Sequence, residues 1–370
     1  MITLEISGIK YDGFTSISVF RSIETISGSF RFSATSTDKT VFPIKAGSPC
    51  SVFVDDIKVI NGYVDTVSVS YDSQSHSINI TGRDKTCDIV DSNITGNKEF
   101  IGLGLVDIIK RVLADNNMND ISVINQAGTI APFDDIDPAS SPVGDTIFNF
   151  LEQYARKSQV LLTTDGNGNV LIVRSGDTSA ITVLENIIGG RFNNILSASA
   201  NYDFSNRFNK YIIQSDQSGN AFDFGGGTPN FNDISAQSGE SIDTKIRASR
   251  IKETIAEVSA ENTTLTELAT WTRNITAGRS TEYECTVQGF YQDSLKTQLW
   301  KPNLLTKVTD NFADVDAILL IKSVEYSVSL ESGSTTNITL VDKDTYTLQN
   351  KIDAATARAN NQGSEFTFGL

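Results

Sequence analysis

The sequence predicts a mainly β protein with α+β insertions: two related antiparallel β-barrels plus inserted α/β subdomains. Three observations indicate this fold class. Alternating apolar and polar residues, as in GSFRFSAT (28–35), recur towards both ends of the chain and are typical of strands with one buried face. Helical periodicity is concentrated in the middle of the chain. A hairpin pattern, VSVSYDSQSHSINITGRDKT (67–86), is also repeated as SVSLESGSTTNITLVDKDT (327–345).

Residues 1–93 are predicted to form the first barrel. The segment ITLEI (2–6) alternates in the manner of a strand, and SVFV (51–54), IKVINGYVDTVSVSYD (57–72) and HSINITG (76–82) follow as three consecutive strands. Asp55 and Asp56 separate the first two of these and fit a tight hairpin turn. Short strands joined by close turns are typical of a barrel or a sandwich.

Residues 94–185 are predicted to form an inserted α+β subdomain. GLVDIIKRVLADNN (104–117) and SPVGDTIFNFLEQYARKS (141–158) each place their apolar residues on one helical face. Ser141 is the predicted N-cap of the second helix, with Pro142 in its first turn. A hairpin follows and turns at Asp165 to Asn169.

Strand patterns return in residues 186–236 and 302–345, which we assign to the second barrel. The intervening residues 237–301 are predicted to form a second insert with a short helix, where Thr264 and Glu267 have the spacing of a capping box. Residues 346–370 form a polar C-terminal tail that we expect to order against a partner.

The repeated hairpin predicts that the two barrels are related. Ser68–Ser73 aligns with Ser327–Ser332 in sequence. The alternative is that any two alternating hairpins with Ser-rich turns look alike. The same order of elements around both copies favours duplication, and three such chains would place six similar barrels around one axis.

Composition and charge argue against several classes of function. The 370 residues carry a formal net charge of -15, which disfavours a protein that grips nucleic acid by counterion release. No stretch approaches 18 apolar residues, so we expect no membrane span. Cys50, Cys87 and Cys285 show no paired spacing and are expected to be reduced thiols in a protein made in the cytosol.

Signals for catalysis, cofactors and metals are weak, and we predict none of the three. The single histidine, His76, lies beside a turn and is expected at the surface. Asp165 to Asn169 opens like a calcium loop, but Val170 stands where the bend glycine is needed. The acidic run FDDIDP (133–138) offers candidate glycosidase carboxylates, but consecutive acids beside a proline are more often a solvated loop.

Four long strings carry a resemblance to a known family. RSIETISGSFRF, IKAGSPCSVFVDDIKVINGYVDTVSVSYDSQSHSINITGRDKTCDIVD, FLEQYARKSQVLLTTDGNGNVLIVRSG and RFNKYIIQ resemble the baseplate hub proteins of contractile-tailed phages of the Mu type, which are related to the hub part of VgrG spikes. The resemblance covers roughly Ile2 to Asp344. It implies a homotrimer in the virion baseplate that joins the six-fold tail tube to the three-fold central spike around an axial channel. The other implied partners are baseplate wedge proteins and the tape measure protein.

Four charged residues in those strings are candidates for contacts in such an assembly. Arg21, Glu24, Arg83 and Asp84 lie at predicted strand ends, and ion pairing between subunits or between barrels is the functional hypothesis. The alternative is ordinary surface charge or pairing within one barrel. We also expect acids to line the channel and repel DNA, unless they only keep the assembly soluble.

Two other functions compete with the structural hub. One is a tail-associated hub that degrades the cell wall, and the other is a receptor-binding or carbohydrate-binding β-protein. The single histidine disfavours the first. Against the second, the sequence shows no cluster of aromatic residues that would suit a sugar surface.

Overall fold

The computed structural model describes the chain except residues 37–43, 73–75, 96–97, 134–138, 142–143, 177, 216–237, 257–261 and 348–370. The strands are β1 Ile2–Ile6, β2 Ile9–Tyr11, β3 Ser16–Ser22, β4 Ser29–Ser36, β5 Pro49–Val54, β6 Ile57–Tyr71, β7 His76–Asp84, β8 Lys98–Phe100, β9 Val123–Asn125, β10 Ala139–Ser141, β11 Leu161–Thr164, β12 Val170–Val173, β13 Thr178–Ser179, β14 Leu184–Asn186, β15 Ile195–Tyr202, β16 Lys210–Gln214, β17 Ser238–Ile242, β18 Ile251–Ile255, β19 Thr281–Gln288, β20 Leu304–Asp310, β21 Val315–Ser329 and β22 Gly333–Asp342. The helices are α1 Cys87–Asp91, α2 Leu105–Asp115, α3 Ile147–Lys157 and α4 Asn262–Arg279.

The fold is mainly β, as predicted, and is dominated by one 14-stranded sheet. Its strand order is β15-β19-β22-β21-β3-β4-β7-β6-β5-β1-β2, with β20 paired to β21 and both β13 and β14 paired to β20. Neighbours along this path are antiparallel. The sequence predicted two related barrels. Within the described residues the sheet is instead continuous and does not close on itself.

The sheet contains the same strand order twice. We call β3-β4-β7-β6-β5 the first unit and β15-β19-β22-β21-β20 the second unit. Each has a 15-residue strand, β6 or β21. Each of these strands is interrupted by a register shift, between Val64 and Thr66 in β6 and between Ile321 and Ser323 in β21.

The pairing fixes which residues of the two units are equivalent. Asp84 pairs with Gly62, and Asp342 pairs with Leu319, in both cases two residues before the shift. On this register Val67 corresponds to Val324. The match seen in the sequence strings is therefore out of step by two residues, which keeps every side chain on the same face of its strand.

One face of the sheet carries the main core. Apolar residues of both units join those of β1 and β14 in a single buried cluster that includes Leu4, Phe32, Ile80, Tyr326 and Leu340. The flanking strands thus cover this face. The opposite face is mainly polar, although Leu320 and Val341 are buried on it in a second cluster with Trp271 of α4.

The first insert has its own core around α2 and α3. Leu105, Ile109 and Phe150 are fully buried in it. The predicted start of α3 at Ser141 is wrong. Ser141 ends β10. The N-cap is Thr146, which directly precedes the first apolar residue of the helix and whose side-chain oxygen accepts the Asn149 N–H (3.1 Å). Pro142 and the acidic residues 134–138 lie outside the described residues.

The second insert packs α4 on a small sheet of order β17-β16-β18. The helix begins at Asn262, so the capping role predicted for Thr264 is wrong, since that residue lies inside the helix. Two strands near this insert lie elsewhere than predicted. β16, which falls in the predicted second barrel, lies in the small sheet, and β19, which falls in the predicted second insert, lies in the main sheet. Tyr346, where the tail was expected to begin, is buried against Trp271 and Val341.

Candidate subunit interface

The best candidate for a functional surface is a pair of strand edges at the two ends of the repeated units. Within the chain, this kind of edge is paired in one place, where the second unit meets the first. After its register shift, β21 leaves β20, and its residues Ser323–Ser329 pair with Ser16–Ser22 of β3. This ladder joins the second unit to the first.

The equivalent edge of β6 has no strand partner within the described ranges. Residues 57–63 of β6 pair with β5, and Val64 bonds the loop before β5. From Asp65 to Tyr71, no described strand lies on that side. Val69 is 54% exposed and Tyr71 is 79% exposed, which is unusual for apolar residues at the end of a long strand. Unpaired backbone groups of this kind are a template for another strand.

The complementary edge belongs to β15. This strand pairs with β19, and no described strand flanks its other side. In the second unit it holds the place that β3 holds in the first. Through the pairing to β19 and β4, Ser199 corresponds to Ser18, and Ala200 corresponds to Val19. Leu196 and Tyr202 are 58% and 46% exposed along it.

The uncovered face of the eight strands from β15 to β6 is rich in small polar side chains. Ser18 bonds Glu325, Ser33 donates to the side-chain oxygen of Asn79 (2.7 Å), and Thr286 donates to that of Asn337 (2.8 Å). Other members of this face include Thr81, Ser199, Ser327 and Thr339. Such a face presents hydroxyl and amide groups to solvent and offers little apolar surface.

The structure places the four predicted charged residues in contacts within the chain. Glu24 accepts from Arg279 at the end of α4 (2.9 Å), and Tyr346 donates to it (2.7 Å). Arg83 pairs with Asp65 and Asp91 (both 2.7 Å). Arg21 donates to the carbonyl oxygen of Thr164 (3.0 Å).

Asp84, the fourth residue, is fully buried. Its Oδ1 accepts from the backbone N–H of Thr86 (3.2 Å), and its Oδ2 accepts from the Thr164 hydroxyl (3.2 Å). Burial raises the pKa of Asp84, while these hydrogen bonds act in the opposite direction. The equivalent Asp342 accepts from the N–H of Asp344 (2.8 Å), and burial raises its pKa as well. The same turn thus closes both units.

The other residues considered in the sequence make local contacts. His76 stacks on Tyr71 with ring centroids 5.9 Å apart. Asp165 accepts from the backbone and side chains of Asn167 and Asn169, so its oxygens serve the hairpin turn. The three cysteines are buried, and burial raises the pKa of each thiol to about 12. No helix in the described part of the chain has the length and apolar character to span a bilayer.

Sequence reasoning missed both strand edges. β6 was recognised as a strand, but nothing in its alternation tells a paired edge from a bare one.

Three family models match successive parts of the chain. Residues 1–84 match the N-terminal domain of the Mu phage baseplate assembly protein GpP-like family, residues 86–174 match the second domain of the baseplate hub protein gp44-like family, and residues 262–349 match the fourth domain of Mu phage baseplate assembly protein GpP. The matched ranges include the whole first unit and the β19 and β20–β22 part of the second.

Similarity to individual proteins extends over almost the whole chain. Baseplate hub protein gp44 of Escherichia phage Mu is 23% identical over 374 residues, covering 100% of this chain and 94% of that protein. The 43 kDa tail protein of prophage MuSo2 from Shewanella oneidensis is 28% identical with a TM-score of 0.77, covering 94% of this chain and 99% of that one. The E. coli c3393 protein, a type VI secretion component described as similar to the T4 tail proteins gp27 and gp5, shares the fold at 11% identity (TM-score 0.57, 92% and 76% covered).

Proposed function

Because the chain is a phage baseplate hub protein of the Mu-like family, a structural protein of the virion tail rather than an enzyme, we propose that three copies close into a ring around an axial channel. The single observation that carries the proposal is a difference between equivalent strand edges: one pair of edges forms a ladder within the chain, and the equivalent pair does not. β21 of the second unit pairs with β3 of the first, while the equivalent edges of β6 and β15 have no partner strand among the described residues.

The proposed contact is a strand ladder between β6 of one copy and β15 of the next. Pairing within the chain sets its register, because Ser327 pairs with Ser18 and Val328 with Ile17. The equivalent pairs are Ser70 with Ser199 and Tyr71 with Ala198 of the neighbouring copy. The ladder would cover Val69 and Tyr71 and satisfy the backbone groups of both edges.

The stagger of the sheet supports closure. The row of paired residues from Arg31 runs through Ser18, Ser327 and Thr335 to Gln288. The equivalent of Arg31 on β19 is Glu284, four positions before Gln288. A shift of four residues over four strands gives a tilt of about 35°, a usual value for barrels.

Three copies of the eight-stranded path make 24 strands, which at this tilt close at a diameter of about 45 Å. The face that carries the main core must lie on the outer side of the ring, because that side has the larger circumference. The uncovered polar face therefore lines the channel. We call it the channel wall.

The two rims of this ring differ in symmetry, which suits an adaptor. The β6–β7 and β21–β22 hairpins point to one rim, because β6 and β21 run in the same direction in the antiparallel path. That rim repeats six times in a trimer. Both inserts leave from the opposite rim, after β7 and after β15, and each occurs once per chain. We assign the first rim to the six-fold tail tube and the second to the three-fold spike, with wedge and tape measure proteins as further partners.

A cysteine pair tests the ladder. In Ser70→Cys/Ser199→Cys, neighbouring copies should join by disulfides, so that oxidised protein runs as a covalent trimer on a denaturing gel. Ser18→Cys/Ser327→Cys is the matched positive control, since it should form its bond within one chain. Ser70→Cys/Ser197→Cys, displaced by two residues on the same face, is the negative control.

Native mass spectrometry should find three copies in the unmodified protein. Disulfides in the displaced pair but not in the registered pair would contradict the proposed register. A protein that stays monomeric at all concentrations up to tens of micromolar, and forms no crosslink, would contradict the ring.

A further inference from the structure

The junction within the chain is closed by a charged contact just beyond its ladder. Glu24, which follows β3, accepts from Arg279 at the end of α4 (2.9 Å) and from the Tyr346 hydroxyl after β22 (2.7 Å). One unit therefore supplies the acid, and the other unit supplies both of its donors. A repeated junction predicts a corresponding contact at the positions equivalent to these.

On the β15 side, the position of Glu24 is taken by Ser205. Ser199 corresponds to Ser18, and six residues further on the two units reach Ser205 and Glu24. Ser205 has no charge, but its carbonyl oxygen accepts from Arg250. The junction between copies thus has a cation where the junction within the chain has an acid.

Arg250 is held in place for a further contact. Its guanidinium lies over the Phe208 ring, 5.0 Å from the centroid, and has N–H donors to spare for a carboxylate. It belongs to a basic loop, residues 245–252, whose cations are Lys245, Arg247, Arg250 and Lys252. These cations form no ion pair within the described part of a chain that carries a net charge of -15.

On the β6 side, the position of Tyr346 is taken by Asp88. Asp84 corresponds to Asp342, and each accepts from the N–H two residues later. Four residues beyond these acids, the chain reaches Asp88 in the first unit and Tyr346 in the second. Asp88 lies on α1 and makes no ion pair with the residues that the structure describes.

Other acids surround Asp88. Asp65 and Asp91 share Arg83 (both 2.7 Å), so that group keeps a net negative charge. Asp88 is exposed, but partial desolvation of its carboxyl raises its pKa, and the carboxylates of Asp91 and Asp120 act in the same direction. A cation brought to this surface would relieve the repulsion among these acids.

We propose that Arg250 of one copy and Asp88 of the next form an ion pair at each junction of the ring, with the charges reversed relative to the junction within the chain. The inference rests on the proposed ring. Within the chain, the side of β3 supplies the acid. Between copies, the equivalent side of β15 supplies the cation, and the side of β6 supplies the acid.

The reversal makes the edges selective. If β6 paired with β3, Asp88 would meet Glu24, and if β21 paired with β15, Arg279 would meet Arg250. Both exchanged ladders would therefore bring like charges together. Edges of one repeat have similar backbones, so exchange between them is a risk that a duplicated sheet carries. Repulsion in the exchanged ladders and attraction in the correct ones favour pairing of β6 with β15.

Charge exchange in the purified protein tests the proposal. Arg250→Glu and Asp88→Arg each place like charges at all junctions of the ring, and the double variant R250E/D88R restores the attraction. The matched control is D107R/R111E, which exchanges two exposed charges on α2. Sedimentation velocity over a range of concentrations measures association at about 0.15 M and about 0.5 M salt, because screening separates ionic from apolar contributions.

Each single variant should raise the concentration at which half of the chains are trimeric by at least about tenfold at the lower salt. The double variant and the control should stay within about threefold of wild type. Higher salt should weaken wild type and the double variant but strengthen the two single variants. Single variants that associate like wild type, or a double variant that recovers nothing, would overturn the proposal.

A second pair of variants applies if Arg250→Glu unfolds the second insert, which a lowered unfolding temperature would reveal. Asp88→Asn removes the attraction, whereas Asp88→Arg adds repulsion, so association should weaken in the order wild type, D88N, D88R. Equal association of these three proteins would also overturn the ion pair.

Disulfide formation in the same backgrounds separates this inference from the ring itself. Ser70→Cys/Ser199→Cys reports the proposed ladder, and Ser18→Cys/Ser70→Cys reports the exchanged one, which should give no bond between copies. Crosslinked trimers whose yield is unchanged by Arg250→Glu and Asp88→Arg would overturn the ion pair alone. Absence of both trimers and crosslinks in the wild-type background would overturn the ring.

Discussion

In the second unit the end of the long strand β21 pairs with a neighbouring strand, whereas in the first unit no strand in the described part of the chain lies on the equivalent edge of β6. The backbone of the two ends is alike, with a register shift followed by a hairpin. What differs is the burial: Tyr326 is 0% exposed, while its equivalent, Val69, is 54% exposed. The difference indicates that the burial of equivalent residues in a repeat depends on which strand lies beside them.

The units also differ in how their cores are filled. The first has Gly62 and Gly82 where the second has Leu319 and Leu340. A Cβ on Gly82 would lie 2.2 Å from the carbonyl oxygen of Tyr63 and 2.3 Å from the Phe30 ring. The units thus keep one topology with different side-chain volumes, which is how a repeat can diverge without changing its ladders.

The largest expected contrast is between Tyr326 and Val69. Tyr326→Ala removes a buried ring that contacts Phe290 (5.9 Å between centroids) and a hydroxyl that donates to the carbonyl oxygen of Trp300, and should lower the free energy of unfolding by about 4 kcal/mol. Val69→Ala should lower it by less than about 0.5 kcal/mol. Urea unfolding followed by tryptophan fluorescence measures both.

Val69→Ala should instead weaken association between copies. The unfolding is therefore measured at a concentration where the chain is dissociated, and native mass spectrometry is used at a higher one. Equal losses of stability in the two variants would show that the β6 end is already packed within one chain.

Gly82 should be nearly as sensitive as Tyr326. Gly82→Ala forces a methyl group against the Tyr63 carbonyl and the Phe30 ring, and we expect a loss of about 3 kcal/mol in the free energy of unfolding. Adding Phe30→Leu should recover part of it by removing ring atoms. Gly13→Ala is the matched control, since a Cβ added there would meet no atom within 4 Å and should cost less than about 0.5 kcal/mol. A loss equal to that of the control would contradict the close approach.

Substitutions in the equivalent turns at Asp84 and Asp342 should differ by a smaller amount in their effect on the free energy of unfolding. Asp84→Ala leaves the buried groups of Thr86 and Thr164 without their acceptor and should cost about 2 kcal/mol. Asp342→Ala acts on a half-buried residue and should cost about 1 kcal/mol. Thermal unfolding compares the two, with Asp84→Asn as the control that retains one acceptor oxygen. A larger loss at Asp342 would reverse the comparison.

The smallest expected effect is a dependence on pH. The folded state raises the pKa of Asp84 by burial, so it binds the proton more tightly than the unfolded chain does. Its contribution to stability therefore grows as the pH falls from neutral through the folded pKa, and is complete below the ordinary value of 3.8.

The pH prediction is checked by difference. The stability of Asp84→Asn relative to the natural protein should fall as the pH is lowered from 7 to 4, because only the natural carboxyl takes up the proton. Asp342→Asn should show the same sign, since burial raises the pKa of Asp342 too. A difference that is flat with pH, or of opposite sign, would contradict burial as the dominant cause.

Much of this protein is determined by the sequence alone. Alternation predicted β6, β7, β21 and β22, because a side-chain period of two is a local property of an extended chain. Helical spacing likewise predicted α2 and α3, and the recurring hairpins indicated the repeat. The resemblance identified the family from strings around Arg21, Gly62 and Gly82.

Tertiary structure decided the rest, because it depends on residues far apart in the chain. That β21 pairs with β3, some 300 positions away, cannot be read from either strand. It makes one continuous sheet of what the sequence predicted as two barrels. It also fixed the equivalence of Val67 with Val324, from which the string match was displaced by two residues. The bare edges of β6 and β15 follow for the same reason: local alternation specifies a strand, but only packing decides which of its edges has a neighbour.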